Sequence, residues 1–333
     1  MASFRRSPCM VTASAPGKCI LFGEHAVVYG EPAVAVAIDA RVSVTLEPCQ
    51  GSWKLSGAPL DERHPHARFL HSQLVGDDSD PHSMLVTSEL FPAAGMGSSA
   101  ALSAAIGAAL MHWSTGGDEL NLEHISHLAH IAEAEAQSGR ASPTDTSTAT
   151  LGGCVLVSDR HEDSADWRWT RTLDTPEGER RWEVHNVTLP DSVRDAYLVV
   201  GSTGIHSPTG EMVAKVAGML ERQPDRMGDI ARMGQLSRIG AGALAAGNLV
   251  ETGRLMDEAH GLLAGLGVSC PELERLVAAA RPTSLGAKLT GAGGGGCMLA
   301  LTTEPKATAE AIEMGGGRVI TTSLGASGVR IER

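Results

Sequence analysis

The stretch Pro92-Ala93-Ala94-Gly95-Met96-Gly97-Ser98-Ser99-Ala100-Ala101 runs straight into an alanine-rich segment whose composition, from Ala100 to Leu110, predicts a buried helix. Glycines let a backbone approach a ligand closely. The first-turn N–H groups of a helix lack intrahelical partners and stand at the positive end of its dipole. The segment therefore reads as a cradle for phosphate. It is not a Walker A loop, which needs Gly-x-x-x-x-Gly-Lys-Ser/Thr. Nor is it Gly-x-Gly-x-x-Gly, because Ser98 and Ser99 follow Gly97 directly. A hydroxyl at this place can cap the backbone or ligate Mg²⁺ on a bound nucleotide. A Gly/Ser cap opening an ordinary buried helix fits the same residues equally well.

Working outward, Leu85 to Leu90 predicts a short strand that delivers the chain to the glycine loop, and Met10 to Pro48 is β-rich, with Val42, Val44 and Leu46 keeping period two. Between them, Gln50 to Pro81 is polar and carries Pro59, Pro65 and Pro81; it predicts a surface excursion holding at most a helix of about ten residues. Ser126 to Gln137 predicts a helix, and Gly139 to Gly153 a loop rich in Ser, Thr and Gly. The alternating runs Trp167 to Arg171 and Arg181 to Val184 flank Thr175-Pro176-Glu177-Gly178 as a hairpin with one wet face. Their tryptophans suit core packing better than a nucleobase platform. After Pro190 the pattern changes to a strand at Ala196 to Val200, then helices at Gly210 to Glu221, Met227 to Ala246, Leu249 to Ala264 and Cys270 to Arg281. A Gly-rich turn through Gly296 joins strands Ala287 to Thr290 and Cys297 to Leu301, and a helix at Pro305 to Met314 precedes a strand at Arg318 to Thr322. The expected architecture is α+β in two domains, 1–190 and 191–333.

Composition narrows the partners. The chain has 333 residues, 42% of them apolar, which suffices for a sizeable core. A net charge of −12 gives no basic field for nucleic acid, so a polyanionic ligand must be held by a local site. The six cysteines are widely spaced with no Cys-x-x-Cys pair, which argues for reduced thiols in a cytoplasmic protein rather than a zinc site or disulfide scaffold. No run of 18 apolar residues and no apolar N-terminal region occurs, so no membrane partner is expected.

Two clusters carry chemistry. In Ser14-Ala15-Pro16-Gly17-Lys18-Cys19-Ile20-Leu21-Phe22-Gly23-Glu24-His25, a lysine after Pro-Gly can reach a phosphate or a carboxylate, although surface lysines are common. Glu24 and His25 interrupt an apolar run and need partners if buried. In Ala141-Ser142-Pro143-Thr144-Asp145-Thr146-Ser147-Thr148, Asp145 can accept a hydroxyl proton, as phosphoryl transfer to an alcohol requires, or it caps a turn or helix. Glu133 and Glu135 on the preceding helix are candidates for a second Mg²⁺ oxygen.

Taken together these segments resemble the GHMP kinases, the superfamily named for galactokinase, homoserine kinase, mevalonate kinase and phosphomevalonate kinase. Within it, Ala15 to Gly30, Ala141 to Gly153, Ile205 to Val216 and Gly286 to Cys297 are similar to archaeal-type mevalonate kinases. The resemblance implies an N-terminal ribosomal-protein-S5-like nucleotide domain and a C-terminal ferredoxin-like domain with the active site in the cleft between them. It implies ATP and mevalonate as small-molecule substrates, Mg²⁺ as cofactor, and is compatible with a homodimer. Position by position, it makes Asp145 the catalytic base and Lys18 its neighbouring cation. It places Pro92, Ala93, Ala94, Gly95, Met96, Gly97, Ser98 and Ser99 on the ATP phosphates, and Ser99 with Glu133 on the metal. Lys18, Glu24, His25, Asp145, Thr209 and Gly293 fall in the acceptor pocket. Ser138 is an extra residue between the metal glutamate and Asp145, which leaves Glu135 as the alternative to Glu133.

Overall fold

The computed structural model describes residues 10–332 apart from 77, 78, 93, 118, 138 and 177. The first half begins with β1 (Val11–Phe22) and β2 (Ala33–Pro48), two long strands paired antiparallel with irregularities at Pro16/Gly17 and Ile20/Phe22. Then come β3 (Lys54–Leu55), β4 (Ala58–Pro59), α1 (Pro65–Leu74), β5 (His82–Ser88), α2 (Ser98–Thr115), α3 (Leu122–Ala136), α4 (Thr144–Leu151), β6 (Cys154–Ser158), β7 (Asp166–Thr175) and β8 (Gly178–Val187). The strands form one sheet in the order β4-β3-β5-β2-β6-β8-β7, with β1 on β2. β2 is long enough to serve two neighbours: its first residues pair with β6 and its last with β5.

The second half runs β9 (Tyr197–Ser202), α5 (Thr209–Arg222), α6 (Met227–Ala245), α7 (Leu249–Gly265), α8 (Pro271–Ala280), β10 (Gly286–Thr290), β11 (Cys297–Thr302), α9 (Pro305–Met314) and β12 (Arg318–Ser323). Its sheet is antiparallel, in the order β10-β11-β9-β12. The chain then crosses back: β13 (Arg330–Glu332) pairs with β1 in the first sheet. Arg41, buried on β2, fastens that return by donating to Ser14 Oγ (2.7 Å) and to the carbonyls of Ser327 (2.9 Å) and Gly328 (2.7 Å). The larger apolar cluster centres on Ile38, Leu46, Ile106 and Leu110 and also takes Leu198, Val200, Leu299 and Leu301 from one face of the second sheet; the smaller, with Leu263, Leu276 and Leu289, packs on that sheet's other face.

Three expectations change. Residues expected as a loop between Gly139 and Gly153 contain the helix α4 instead. Its Ser and Thr residues are poor helix formers in water, but here they are buried, and the Thr148 and Thr150 hydroxyls donate to the carbonyls four residues back at 2.7 Å. The 50–81 excursion is not confined to the surface, because Trp53, Leu55, Ala67 and Leu70 are buried and α1 packs on α2 and α3. The strand expected at Leu85 to Leu90 starts earlier, at His82. In the hairpin, Trp169 is buried as core while Trp167 is about half exposed.

Backbone packing holds α7 against β10 unusually closely. A Cβ on Gly253 would lie 2.2 Å from Leu285 O, and one on Gly286 would lie 2.0 Å from Gly253 O. Gly261 on the same helix faces open space. Helix propensity favours alanine over glycine by about 1 kcal/mol at both helix positions, whereas a clash with backbone costs about 1–3 kcal/mol or more. Gly261→Ala should therefore raise the melting temperature and Gly253→Ala lower it, a difference of sign that thermal unfolding of the two variants checks.

Candidate active site

α2 begins without a cap. Gly97 takes the left-handed φ of 72°, no side chain accepts from the first turn, and no acidic residue occupies it. The first backbone bond of the helix is Ala101 N–H to Gly97 O at 2.9 Å, so the N–H groups just before Ala101 face outward beside the exposed Ser98 and Ser99. Gly97 is required for a second reason: a Cβ there would lie 3.0 Å from Lys18 Cγ. Lys18 on β1 runs beneath the loop, its N–H bonded to Met96 O (3.0 Å) and its ammonium to Gly95 O (3.2 Å). The ammonium also reaches Asp145 Oδ1 at 3.1 Å, with the lysine side chain 5% exposed and the aspartate 40%. An ion pair so placed has one member shielded from water and the other open to a ligand.

These groups line a cleft of about 500 Å³ where the two sheets meet. Ala94 to Ser99 form one wall. Glu24 and His25 form another, and Thr209, the first residue of α5, with Val213, Gly291 and Ala292, comes from the second half. The Gly-rich turn after β10 holds positive φ at Gly291 and from Gly293 to Gly296, and a Cβ on Gly296 would lie 3.3 Å from Ala94 O. The two glycine loops thus close on each other. His25 has φ 49°, uncommon for a residue with a side chain, and donates from Nε2 to Ala292 O at 2.9 Å. Burial pushes its pKa down. Glu24 is fully buried, and its Oε1 accepts from the equally buried Lys288.

Not every expected residue reaches the cleft. Ala93 and Ser138 lie outside the described residues. Pro92 is exposed and no part of the wall. Gly293 is buried behind the turn: a Cβ on it would lie 2.1 Å from Val268 O, and Gly291 and Ala292 take the cleft position instead. Glu133, on α3, does not line the cleft. Its Oε2 accepts from Gln137 (2.9 Å), its Oε1 lies 3.3 Å from His66 Nε2, and Oε1 has no hydrogen-bond partner. Glu135 faces away, onto a larger hollow of about 800 Å³ beside α1 that shares no residue with the cleft. Sequence reasoning missed Lys288, His66 and Thr290, whose Oγ1 both accepts from Ile20 N–H (2.9 Å) and donates to Ile20 O (3.1 Å) across the two halves. Lys288 carried a signal, being a charge inside an apolar strand; His66 carried none.

Models of the GHMP kinases N terminal domain and GHMP kinases C terminal match residues 67–153 and 241–314. A mevalonate kinase of Thermococcus onnurineus is 34% identical over 97% of this chain and 98% of its own. The chain belongs to the mevalonate kinase family. Another relative, the mevalonate kinase of Methanothermobacter thermautotrophicus, is 35% identical over 87% of this chain and 89% of that protein. Among solved structures, L. major mevalonate kinase in complex with R-mevalonate has a TM-score of 0.77 at 26% identity, covering 98% of this chain and all of that one. The two-domain GHMP kinase fold follows, and no helix among the described residues is long and apolar enough to cross a membrane.

As in any fold that buries imidazoles, acid has a cost in this mevalonate kinase family member. Burial pushes the pKa values of His25, His130, His185 and His260 down. A histidine whose folded pKa lies below its unfolded value of about 6.5 gives stability that is present above that pH and lost as pH falls. The melting temperature should therefore drop between about pH 7 and pH 5 in a thermal scan, and a flat profile would contradict the neutral assignment.

Proposed function

We propose that this enzyme transfers the γ-phosphoryl group of ATP to the 5-hydroxyl of mevalonate, giving 5-phosphomevalonate and ADP, a step in isoprenoid biosynthesis. The observation that carries the reading is the Lys18–Asp145 pair at 3.1 Å, set beside the uncapped start of α2. Asp145 takes the proton of the 5-hydroxyl as its oxygen forms a bond to the γ-phosphorus and the bond to the bridging β,γ-oxygen breaks, releasing ADP. Lys18 stands between base and phosphate loop, stabilising the developing alkoxide and the charge on the transferring group. The loop from Ala94 to Ser99 cradles the phosphates with backbone N–H groups, donors that need no reorganisation as charge develops. Glu24, His25 and Thr209 line the acceptor's side.

Mg²⁺ suits the oxygens on offer: the Ser99 hydroxyl is exposed at the cleft, and Glu133 Oε1 is buried with no hydrogen bond, His66 Nε2 being its neighbour at 3.3 Å. When bound, the ion neutralises phosphate oxygens of the nucleotide. Glu133 fits this task better than Glu135, whose carboxylate serves a different hollow.

ADP formation from Mg²⁺-ATP with mevalonate, phosphomevalonate, galactose or homoserine, followed by phosphorus NMR of the product, tests the reading. Turnover of mevalonate alone, at the 5-position, is the expected result; selective turnover of another alcohol would overturn the acceptor assignment. Asp145→Asn should keep the fold and ATP binding and lower kcat by roughly 10²–10⁴-fold. Ser99→Ala should shift half-maximal activity to higher Mg²⁺, and an unchanged titration would remove Ser99 from the metal site.

A further inference from the structure

Glu133 is a buried carboxylate that no lysine or arginine pairs with among the described residues. An isolated negative charge in an interior is costly, and a cation that arrives with a ligand relieves it. The two oxygens of Glu133 are treated differently. Oε2 accepts from Gln137, the residue just after α3, at 2.9 Å. Oε1 faces His66 Nε2 at 3.3 Å; both atoms are sealed from water, and neither completes a hydrogen bond. The carboxylate is gripped on one oxygen and only approached on the other.

His66 is the second residue of α1, next to the buried Ala67, and α1 packs on both α2 and α3. A basic ring in a first turn gains nothing from the helix dipole, no acidic residue shares that turn, and the helix start takes no side-chain cap. Local helix chemistry therefore does not account for the imidazole, whereas the carboxylate across on α3 does. Carboxylates that hold a metal are themselves held by hydrogen bonds, and those partners set the metal affinity. We propose that His66 is a positioning residue for Mg²⁺: donating from Nε2 to one lone pair of Oε1, it orients the Glu133 carboxylate and leaves the other lone pair for the ion that accompanies the nucleotide. The inference rests on the reading of Glu133 as a metal ligand. His66 itself stays off the metal, since its Nε2 carries the hydrogen that the carboxylate receives. Gln137 and His66 together leave the carboxylate one orientation, which suits a small ion that demands near-ideal octahedral geometry.

The test is binding of Mn²⁺, which takes the same oxygen ligands as Mg²⁺ and has a paramagnetic signal, to the full-length enzyme holding a non-hydrolysable ATP analogue. Electron paramagnetic resonance reads the metal affinity with no turnover, and a titration of the analogue in EDTA reads nucleotide affinity apart from metal. His66→Phe, which keeps a ring without the N–H, should weaken Mn²⁺ binding by about tenfold or more, while affinity for the analogue in EDTA stays within about twofold. Loss of folded protein lowers the number of sites and does not produce that split. His66→Gln, whose amide nitrogen can take the place of Nε2, should keep Mn²⁺ affinity within about threefold of the unmutated enzyme, and the shorter His66→Asn should not. Those two variants decide the matter if His66→Phe does not fold. Glu133→Gln should weaken Mn²⁺ binding by itself, and adding His66→Phe to it should cost little more, because His66 acts through the carboxylate. Unchanged Mn²⁺ affinity in His66→Phe or His66→Asn, with Glu133→Gln impaired, overturns the positioning role alone. Unchanged Mn²⁺ affinity in Glu133→Gln overturns the metal-ligand reading together with it.

Discussion

A carboxylate and an ammonium, both withheld from water, meet where the two sheets of this molecule touch. The Glu24–Lys288 pair can exist only if each sheet delivers its residue to one point, since either charge alone in that interior would be far more costly than the pair. Burial pushes Glu24 up and Lys288 down in pKa, and each is drawn back by the other. That mutual requirement fixes the end of β1 against β10. The neighbouring contacts, Ile20 with Thr290 and His25 with Ala292, fall into register beside it. The cleft is the space left between two surfaces held in this way.

On the opposite side of that space the organising element is a helix end left unsatisfied. α2 is buried over most of its length and rich in alanine, so it can pack closely on β1 and β2 and be held with little freedom. Its rigid seat matters because the donors at its start must already point at phosphate when substrate arrives. Lys18 shares the same seat: the loop carbonyls that receive its N–H and its ammonium also set the reach of that ammonium to Asp145.

Much of this was legible in the chain. The helices of the second half showed because their apolar residues recur at helical spacing, and the glycine loop showed because Gly95, Gly97, Ser98 and Ser99 admit few purposes. α4 was hidden, since a run of threonine and serine signals a loop unless burial is known. The roles of Gly291 and Gly293 could not be told apart in a string of glycines; which one faces the cleft depends on Val268, a residue from a different segment. His66 came from a polar region with no motif, and only the packing of α1 on α3 brings it to Glu133. What sequence withheld was the content of long-range packing.

The return of the chain to its starting sheet has a consequence in time. A growing polypeptide emerges from its first residue onward, and β1 can pair with β2 early, but Arg41 gains the carbonyls of Ser327 and Gly328, and β1 gains β13, only after the whole second half has been made. Until then a guanidinium meant for the interior has only Ser14 of β1 among these acceptors, and one edge of β1 lies open. The first sheet is therefore the earliest part of the molecule to form and the last to be finished, so a product released before its final strand would carry an exposed edge suited to pairing with another copy.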